Sequence, residues 1–584
     1  MTVAFDTQLA KNAFQGNIVL EIDGVYYSQY HVDTGLAVDA DKVGLISNVT
    51  VNGVTLDIRN VRTSIASVSF SMVDKDERIS ISLGNSSQAW QNFEVKTYMG
   101  FITGTFDFAD YTQLATTRIK AAKRLDNGWR FTSAEPIDLA KKRISTTFAN
   151  LDGAISDIQT SINLDDATSF ASTGTAKIGS EFITWSGKTV NTLTGVTRGV
   201  LSSTGTAHTT GTDVFVVTTR QDAPLTMLVD ILQTEMAIPA SLIDLTGIAL
   251  IESTFFVGEG DYLLYLYDIA DGLKWLEDNI LLPTNTRFIT KEGKISLAIL
   301  DQVDFSVDAE EFDEDTIREG RPNYSIDSNR IVNKVIVKWN WSEGLASYTR
   351  TNTFTDDDSI ATYGERNPLT LNFKGVQAAL GGNVIVTDRA NRLLARLSTP
   401  KAEISLSTHV DKFNTQAGDT VRVTHRFIPS QGAGLGFSDL LEVVSRAPGQ
   451  LATDANIKWK LQFTSFTGIR VGLIAPSPLL DGVIASQKEF DVPDGGCYRV
   501  GYKLVLWNEA SSIYYPDAAN EILAISGNTL TMKDLFVTTL GAGVRLKFAD
   551  YDESSVEQKA RYGYIAPNTG VFVSDGANAY EIII

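Results

Sequence analysis

Cysteine is all but missing from this chain: Cys497 is the only one among 584 residues. One thiol excludes an intrachain disulfide and any multi-cysteine zinc or iron–sulfur site. Cys497 follows Gly495-Gly496 with no recognisable partner base, and it reads as an inert small hydrophobe rather than a nucleophile. Histidine is nearly as scarce. His31, His208, His409 and His425 are scattered, and none builds a His-Glu-x-x-His pair, so zincin chemistry has no support. Basic charge is short as well: 50 Lys and Arg stand against 70 Asp and Glu, for a formal net charge of −20. That balance argues against sequence-independent nucleic-acid binding and against adhesion to anionic membranes. Long apolar runs are lacking, so no helical membrane span is expected. The start, MTVAFDTQLAKNAFQGN, has no basic stretch leading into an apolar core, which points to synthesis in the cytoplasm without a secretory signal.

The motifs of nucleotide and metal chemistry fail one by one. Gly187-Lys188-Thr189 resembles the end of a phosphate loop, but Phe182 stands where its first glycine belongs. Gly432-Ala433-Gly434-Leu435-Gly436 puts Phe437 at the third glycine of a dinucleotide turn. No Gly-x-Ser-x-Gly elbow occurs. Asp39-x-Asp41-x-Val43-Gly44 fails as a calcium loop at Val43, and again at Thr50, where the bidentate Glu belongs. The acidic run Asp308 to Asp315 reads as a solvated linker rather than a cation site. Glycoside hydrolysis needs two carboxylates at a defined separation, which sequence does not show. No catalytic residue, cofactor or metal site is assigned, and the chain is not expected to be an enzyme.

What is present belongs to a folded protein: 43% of residues are hydrophobic and 21% charged. The length exceeds what one core supports, so several domains are expected. Asn17 to Ile22 alternates into the turn Asp23-Gly24, and Val49 to Ile58 reads as a hairpin around Asn52-Gly53. Ser64 to Met72, Ile79 to Leu83, Phe93 to Tyr98 and Gly100 to Gly104 continue the strand pattern, which suggests a barrel. Helices follow the middle of the chain. Asp222 is the expected N-cap of a helix with Pro224 in its first turn and a stripe of Leu225, Leu228, Val229, Leu232 and Met236. A second helix is expected from Asp261 to Asn279, ended by Pro283, and then a hairpin from Phe288 to Ile299. Val335 to Trp341 opens a second β-rich domain, which includes a helix from Asp388 to Leu397 and the strand Lys401 to Thr408. After the joint Pro476 to Gly482, strands are expected at Asn528–Met532, Val544–Tyr551 and Tyr580–Ile584. The apolar strand at the end must be paired, or it would be a sticky edge.

Thr168 to Val217 stands apart, nearly uncharged and rich in Gly, Thr and Ser. Its bursts Phe182 to Trp185, Leu193 to Val196 and Val214 to Val217 are closed by turn residues, as in a small module of short strands. A unit of this size has a marginal core alone, so it reads as an insertion in a larger domain. The order Ile178-Gly179-Ser180-Glu181, Trp185-Ser186-Gly187, Leu193 to Gly199, then His208 and Gly211 resembles a module recurring in phage tail and baseplate proteins. Phe70 to Asp74, the Gly100–Gly104 step, Tyr363-Gly364-Glu365-Arg366 and Gly418-Asp419-Thr420-Val421 resemble, in that order, the central hub of phage baseplates and tail tips. Tyr551, Gln558, Tyr562 and Tyr564 are similar to a tail-protein C-terminal module. Arg198 and His208 are expected to brace turns; the alternative is a surface or glycan contact formed by Trp185, Arg198 and His208.

The resemblance implies a mainly β, multidomain chain with some α structure. Its expected parts are a first hub barrel (1–165), an inserted small β module (166–219), an α+β domain (220–325), a second hub barrel-like domain (326–475) and a C-terminal β-rich module (476–584). It further implies a structural virion protein: the homotrimeric hub joining the tail tube to the tip and host-attachment parts. Its partners would be a distal tail or tube protein and a tip or central fibre protein. The alternatives are a tail adhesin that binds a receptor or glycan and a tail-associated cell-wall glycosidase.

Overall fold

The computed structural model describes residues 16–29, 45–101, 108, 111–256, 260–300, 310–318, 322–409, 412–413, 415–430, 434–448 and 456–463, then 471–474, 477–478, 484–492, 503–508, 513–514, 520–537, 539, 545–548 and 580–583. Cys497, His31, the Asp39-x-Asp41 loop, most of Gly100–Gly104 and the Tyr551–Tyr564 tyrosines lie outside the described residues. The chain divides into two compact units, the first holding most of it up to Thr464.

Along the first unit come β1 (Gly16–Ile22), β2 (Val25–Ser28), β3 (Ile46–Val51), β4 (Val54–Asp57), β5 (Arg62–Thr63), β6 (Ser67–Val73), helix α1 (Arg78–Asn85), β7 (Glu94–Phe101), β8 (Thr112–Leu125) and β9 (Gly128–Ala134). Seven of the strands form one sheet in the order β2-β1-β7-β8-β9-β6-β3. The alternation Val68, Phe70, Met72 in β6 turns one face into the core, with Phe70 stacked on Phe131 of β9 at 5.1 Å. The strand expected at Ile79–Leu83 is instead α1. The Asp74 carboxylate accepts from the backbone N–H of Ile79 at 2.8 Å and of Ser80 at 3.1 Å, which satisfies donors that a first helical turn leaves free. The helix then buries Ile79 and Leu83, one turn apart, and leaves Ile81 58% exposed.

The next strands build a separate small body: β10 (Phe148–Asn150), β11 (Ile162–Asn163), β12 (Gly174–Ile178), β13 (Glu181–Trp185), β14 (Gly187–Thr189), β15 (Thr192–Thr194) and β16 (Asp213–Asp222). They pair as β10-β16-β12-β13 and β11-β15-β14 around a core that includes Ala149, Leu151, Ile162, Leu164, Ile183, Leu193 and Val214. This corrects the boundary at 166, because residues from Ala149 onward are buried in this core and not in the first sheet.

β16 continues past the small body. Its second half pairs with β17 (Tyr262–Leu266), after helix α2 (Pro224–Thr234). α2 starts one residue later than expected, with Ala223 at the cap and Asp222 accepting from its N–H. The helix expected from Asp261 is therefore corrected over its first half: Tyr262, Leu264 and Leu266 are buried with the period of two that suits a strand. Only at Gly272 does α3 (Gly272–Leu276) begin, continuing as a π turn through Glu277–Leu281 and a last turn, Leu282–Thr284, that contains Pro283. β18 (Thr286–Lys291) and β19 (Lys294–Ile299) form the hairpin read from the sequence.

Later elements of this unit include β20 (Glu311–Phe312), β21 (Asn323–Ile326), β22 (Lys334–Ser342), β23 (Ser347–Thr355), α4 (Asp357–Tyr363), β24 (Leu369–Phe373), α5 (Asn383–Leu397), β25 (Ala402–His409), β26 (Thr420–Ser430), β27 (Gly434–Ala447) and β28 (Asn456–Phe463). A large sheet runs β20-β26-β27-β28-β25-β21, and a separate one runs β23-β22-β24. Two expectations change here. Phe312 in the acidic run is wholly buried and β20 pairs with β26, so the described part of that run is no free linker. And β22, β23, β24 and α5 do not join the large sheet; α5 packs on β22, so the second β domain does not start at 326 as one body.

The Asn52-Gly53 step does not close a hairpin. β3 pairs with β6, whereas β4 crosses to the large sheet and pairs with β27, Val54 opposite Arg446. Gly53 lies so close to β27 that a Cβ there would sit 2.8 Å from the Arg446 carbonyl. The two large sheets share one continuous core, from Ile18, Phe70 and Phe131 to Phe312, Val421 and Trp459.

The second unit, considered alone, has β29 (Val471–Ile474), β30 (Ser477–Pro478), β31 (Glu489–Asp491), β32 (Lys503–Asn508), β33 (Ile513–Tyr514), β34 (Asn520–Ser526), β35 (Thr529–Met532), β36 (Arg545–Phe548) and β37 (Tyr580–Ile583). β37 pairs with β29, so the apolar end of the chain has a strand partner.

Candidate functional site

Trp185, Arg198 and His208 do gather in one place, but inward. Trp185 is 3% exposed, packs on Phe170 and donates its indole N–H to the Ala171 carbonyl at 3.1 Å. Arg198 and His208 both face Glu181, which is completely buried at the start of β13. Arg198 holds the carboxylate with two bonds of 2.6 Å, and His208 Nε2 lies 2.9 Å from Oε2. The backbone N–H groups of Gly199 and Thr206 donate to the same carboxylate at 3.2 and 3.1 Å. Burial alone would raise this carboxyl; the hydrogen bonds from Arg198, His208 and Thr206 outweigh it and hold Glu181 below its ordinary value.

This geometry corrects the surface reading of Trp185, Arg198 and His208. Their polar atoms are spent inside the module, and a sugar would find neither an exposed ring nor a free donor. The arrangement is a clasp: one carboxylate ties the loop around Arg198 and the turn at Thr206–His208 to β13. The bracing reading of Arg198 and His208 describes what they do. Glu181 itself escaped notice as the centre, although the bursts on both sides of it mark a buried strand.

The module is mounted on the middle of the unit through a second polar group. Glu343, at the turn between β22 and β23, accepts from the Tyr267 hydroxyl at 2.9 Å and pairs with Lys374 at 2.8 Å. Lys177 of β12 lies over the Tyr267 ring at 4.6 Å, and Phe182 meets that ring edge-on. Burial raises the Tyr267 hydroxyl, and the Glu343 charge adds to the shift. Gly344 donates its N–H to the Leu201 carbonyl at 3.0 Å, and its missing side chain leaves room for the backbone at Ser202 and Ser203.

A third group surrounds the arm formed by β4 and β5. Arg62 pairs with Glu277 at 3.1 Å and also with Asp278, and Arg59 donates to the Arg330 carbonyl at 3.1 Å. On the other side of β4, Arg446 is 4% exposed and donates to the carbonyls of Phe413 and Thr415 at 2.7 and 3.1 Å. Burial pushes the Arg446 guanidinium down to about 10, against the attraction of Glu135 and Asp419. Glu135, which follows β9, accepts from the Ala66 N–H at 2.8 Å, yet burial raises its carboxyl. Arg396 of α5 pairs with Glu442 of β27 and donates to the Leu300 carbonyl at 2.8 Å. Glu135 after β9, Arg396 of α5 and Glu442 and Arg446 of β27 thus hold charge in the interior, while the Arg62 pairs stay partly exposed. Sequence reasoning missed them. The available signal was Leu441-Glu442-Val443, a strand whose neighbours are buried on both sides, as happens only between two layers.

Beside the arm lies a cleft of 430 Å³, lined by Leu56, Asp57, Arg59, Arg330, Lys401 and Glu403 among others. Asp57 spends its oxygens on the turn at Arg59 and Asn60, and Arg330 pairs with Glu403. Lys401 donates to Thr399 at 2.8 Å, and burial, reinforced by the Arg396 charge, pushes its ammonium down to about 8. Among the described residues, no group of three His, Cys, Asp or Glu side chains is placed to hold a metal ion. No helix among them is long and apolar enough to cross a membrane.

No protein-family profile matches the chain, and no curated protein matches it in sequence. Solved structures similar to it include tail proteins and a secretion-system component. A tail protein from Neisseria meningitidis MC58 is 9% identical with a TM-score of 0.38, over 78% of this chain and 98% of that one. The prophage tail protein gp18 from Listeria monocytogenes is 10% identical with a TM-score of 0.35, over 77% and 95%. A component of the Escherichia coli type VI secretion system, itself described as similar to the phage T4 tail proteins gp27 and gp5, is 7% identical with a TM-score of 0.29, over 89% and 99%. All these scores lie below 0.5.

Proposed function

We propose that this chain is a structural virion protein, the central hub of a phage baseplate or tail tip, acting as a homotrimer. One observation carries the reading: β4 leaves the first sheet's stretch of chain and pairs within the large sheet, so two extensive β sheets share a single core. A subunit built this way carries two β bodies at a fixed spacing. Three subunits then present six, which matches a sixfold tail tube to a threefold tip. The buried charges of Glu135, Arg396, Glu442 and Arg446 support that spacing, because separating the layers would strand them. The neighbours would be a distal tail or tube protein on one side and a tip or central fibre protein on the other.

No chemistry is required of the chain in this role, and purified protein is expected to show no turnover of peptidoglycan or host polysaccharide. The test is immunogold labelling of tailed particles with an antibody to this chain. Label at the end of the tail away from the head is expected. Label on the head or along lateral fibres, or hydrolysis that disappears when one carboxylate is mutated, would overturn the proposal.

A further inference from the structure

β23 is the longest strand that stands at the edge of a sheet among the described residues, nine residues from Ser347 to Thr355. Natural edges of that length are shielded by lysines, prolines, bulges or a covering element. Here the sequence SYTRTNTFT has no lysine and no proline, and Thr349, Thr351, Thr353 and Thr355 are all exposed. Only β22 pairs with it. The Asp356 N–H donates to the Asn333 carbonyl at 3.1 Å, continuing the register in which Thr355 faces Lys334. Counting back in twos, Phe354, Asn352 and Arg350 bond to β22, whereas Thr355, Thr353 and Thr351 turn their N–H and C=O groups to the open side.

Charge indicates what can lie there. The chain carries 70 acidic residues against 50 basic ones, so its copies repel over most of their surface. The sheet β23-β22-β24 is an exception: none of its strands contains an acidic side chain, while Lys334, Lys338 and Arg350 are basic. A second copy can approach this sheet without facing carboxylates on its strands, and the open edge offers it a row of main-chain bonds.

We propose that β23 is the edge to which an edge strand of a second copy of this chain adds, making one of the seams of the homotrimer; this rests on the trimer reading above. The added strand differs from β23, since β23 against β23 would be a two-fold contact and gives even-numbered assemblies. The seam is formed by backbone groups, with the exposed threonines flanking it.

The test is the solution mass of the full chain by light scattering, with proline placed on either side of the strand. Wild type is expected at about three times 63.7 kDa. Thr351→Pro and Thr353→Pro remove outward N–H groups alone, and both are expected to fall to the single-chain mass with circular dichroism unchanged. Thr351→Val keeps the N–H and should stay trimeric; Asn352→Pro removes a bond to β22 and should lower Tm. Trimers that survive both outward prolines overturn the edge assignment and leave the trimer reading intact. A wild type found as monomer or dimer removes that reading, and the seam with it. If the proline variants do not fold, hydrogen exchange of wild type decides: the Thr351 and Thr353 amides should exchange slowly when concentrated and at least tenfold faster on dilution to monomer. Fast exchange at both concentrations overturns the seam.

Discussion

Glu181 cannot turn to water, and every oxygen it has is committed to the clasp. Arg198→Ala would leave that carboxylate buried without its main partner, which costs about 3–5 kcal/mol for a pair of this kind. Thermal unfolding should show the loss, and hydrogen exchange should place it in residues 148–217. Since the folded carboxyl lies below its ordinary 4.5, the clasp's contribution is fully present above that value and fades as pH falls through the folded one. An acid titration of wild type against Glu181→Gln should therefore converge below pH 4.5. Lys401 works in the opposite sense. The folded state disfavours its charge, so stability withheld at pH 7 returns as pH climbs from about 8 toward lysine's ordinary 10.5. Lys401→Met should be more stable than wild type at pH 7, and the advantage should shrink on the way to pH 10.5 in denaturant titrations.

Among elements, the arm of β4 and β5 shows where sequence reading reaches and where it stops. Asn52-Gly53 between two alternating runs is a sound hairpin signal, and both strands exist. What the pattern cannot report is which strand each one pairs with, because β27 lies nearly four hundred residues away in sequence. Ile79 to Leu83 was ambiguous for a different reason: residues spaced by two suit a strand, and the first and last also lie one helical turn apart, so Asp74 decides by capping the helix. The hairpin at β18 and β19 and the stripe of α2 were legible, since both are set by local pattern. The candidate site was legible in position only. Arg198 and His208 were found, but burial depends on Glu181, which no local pattern marks as their shared partner. Two outcomes follow for elements. Gly53→Val would drive a side chain into the Arg446 carbonyl and should destabilise by about 1–3 kcal/mol in denaturant titrations. The small body should be removable only whole: Thr147 and Val216 are already hydrogen-bonded at 2.9 Å, so joining Thr147 to Thr218 by a short Gly-Ser link should leave a folded protein. Cutting only Thr168 to Val217 strands Ala149, Leu151 and Leu164 without a core, and limited proteolysis should degrade that variant faster.

For the whole molecule, the decisive property is that two β sheets share one core instead of hanging on a linker. The proposed hub would use that fixed spacing. The measurement that tests this most directly is an electron cryo-microscopy map of a tailed particle containing the chain. Three copies should surround the tail axis where the tube meets the tip, with both sheets of each copy in the ring. A particle with the chain off the axis, or in any number other than three, would contradict the account.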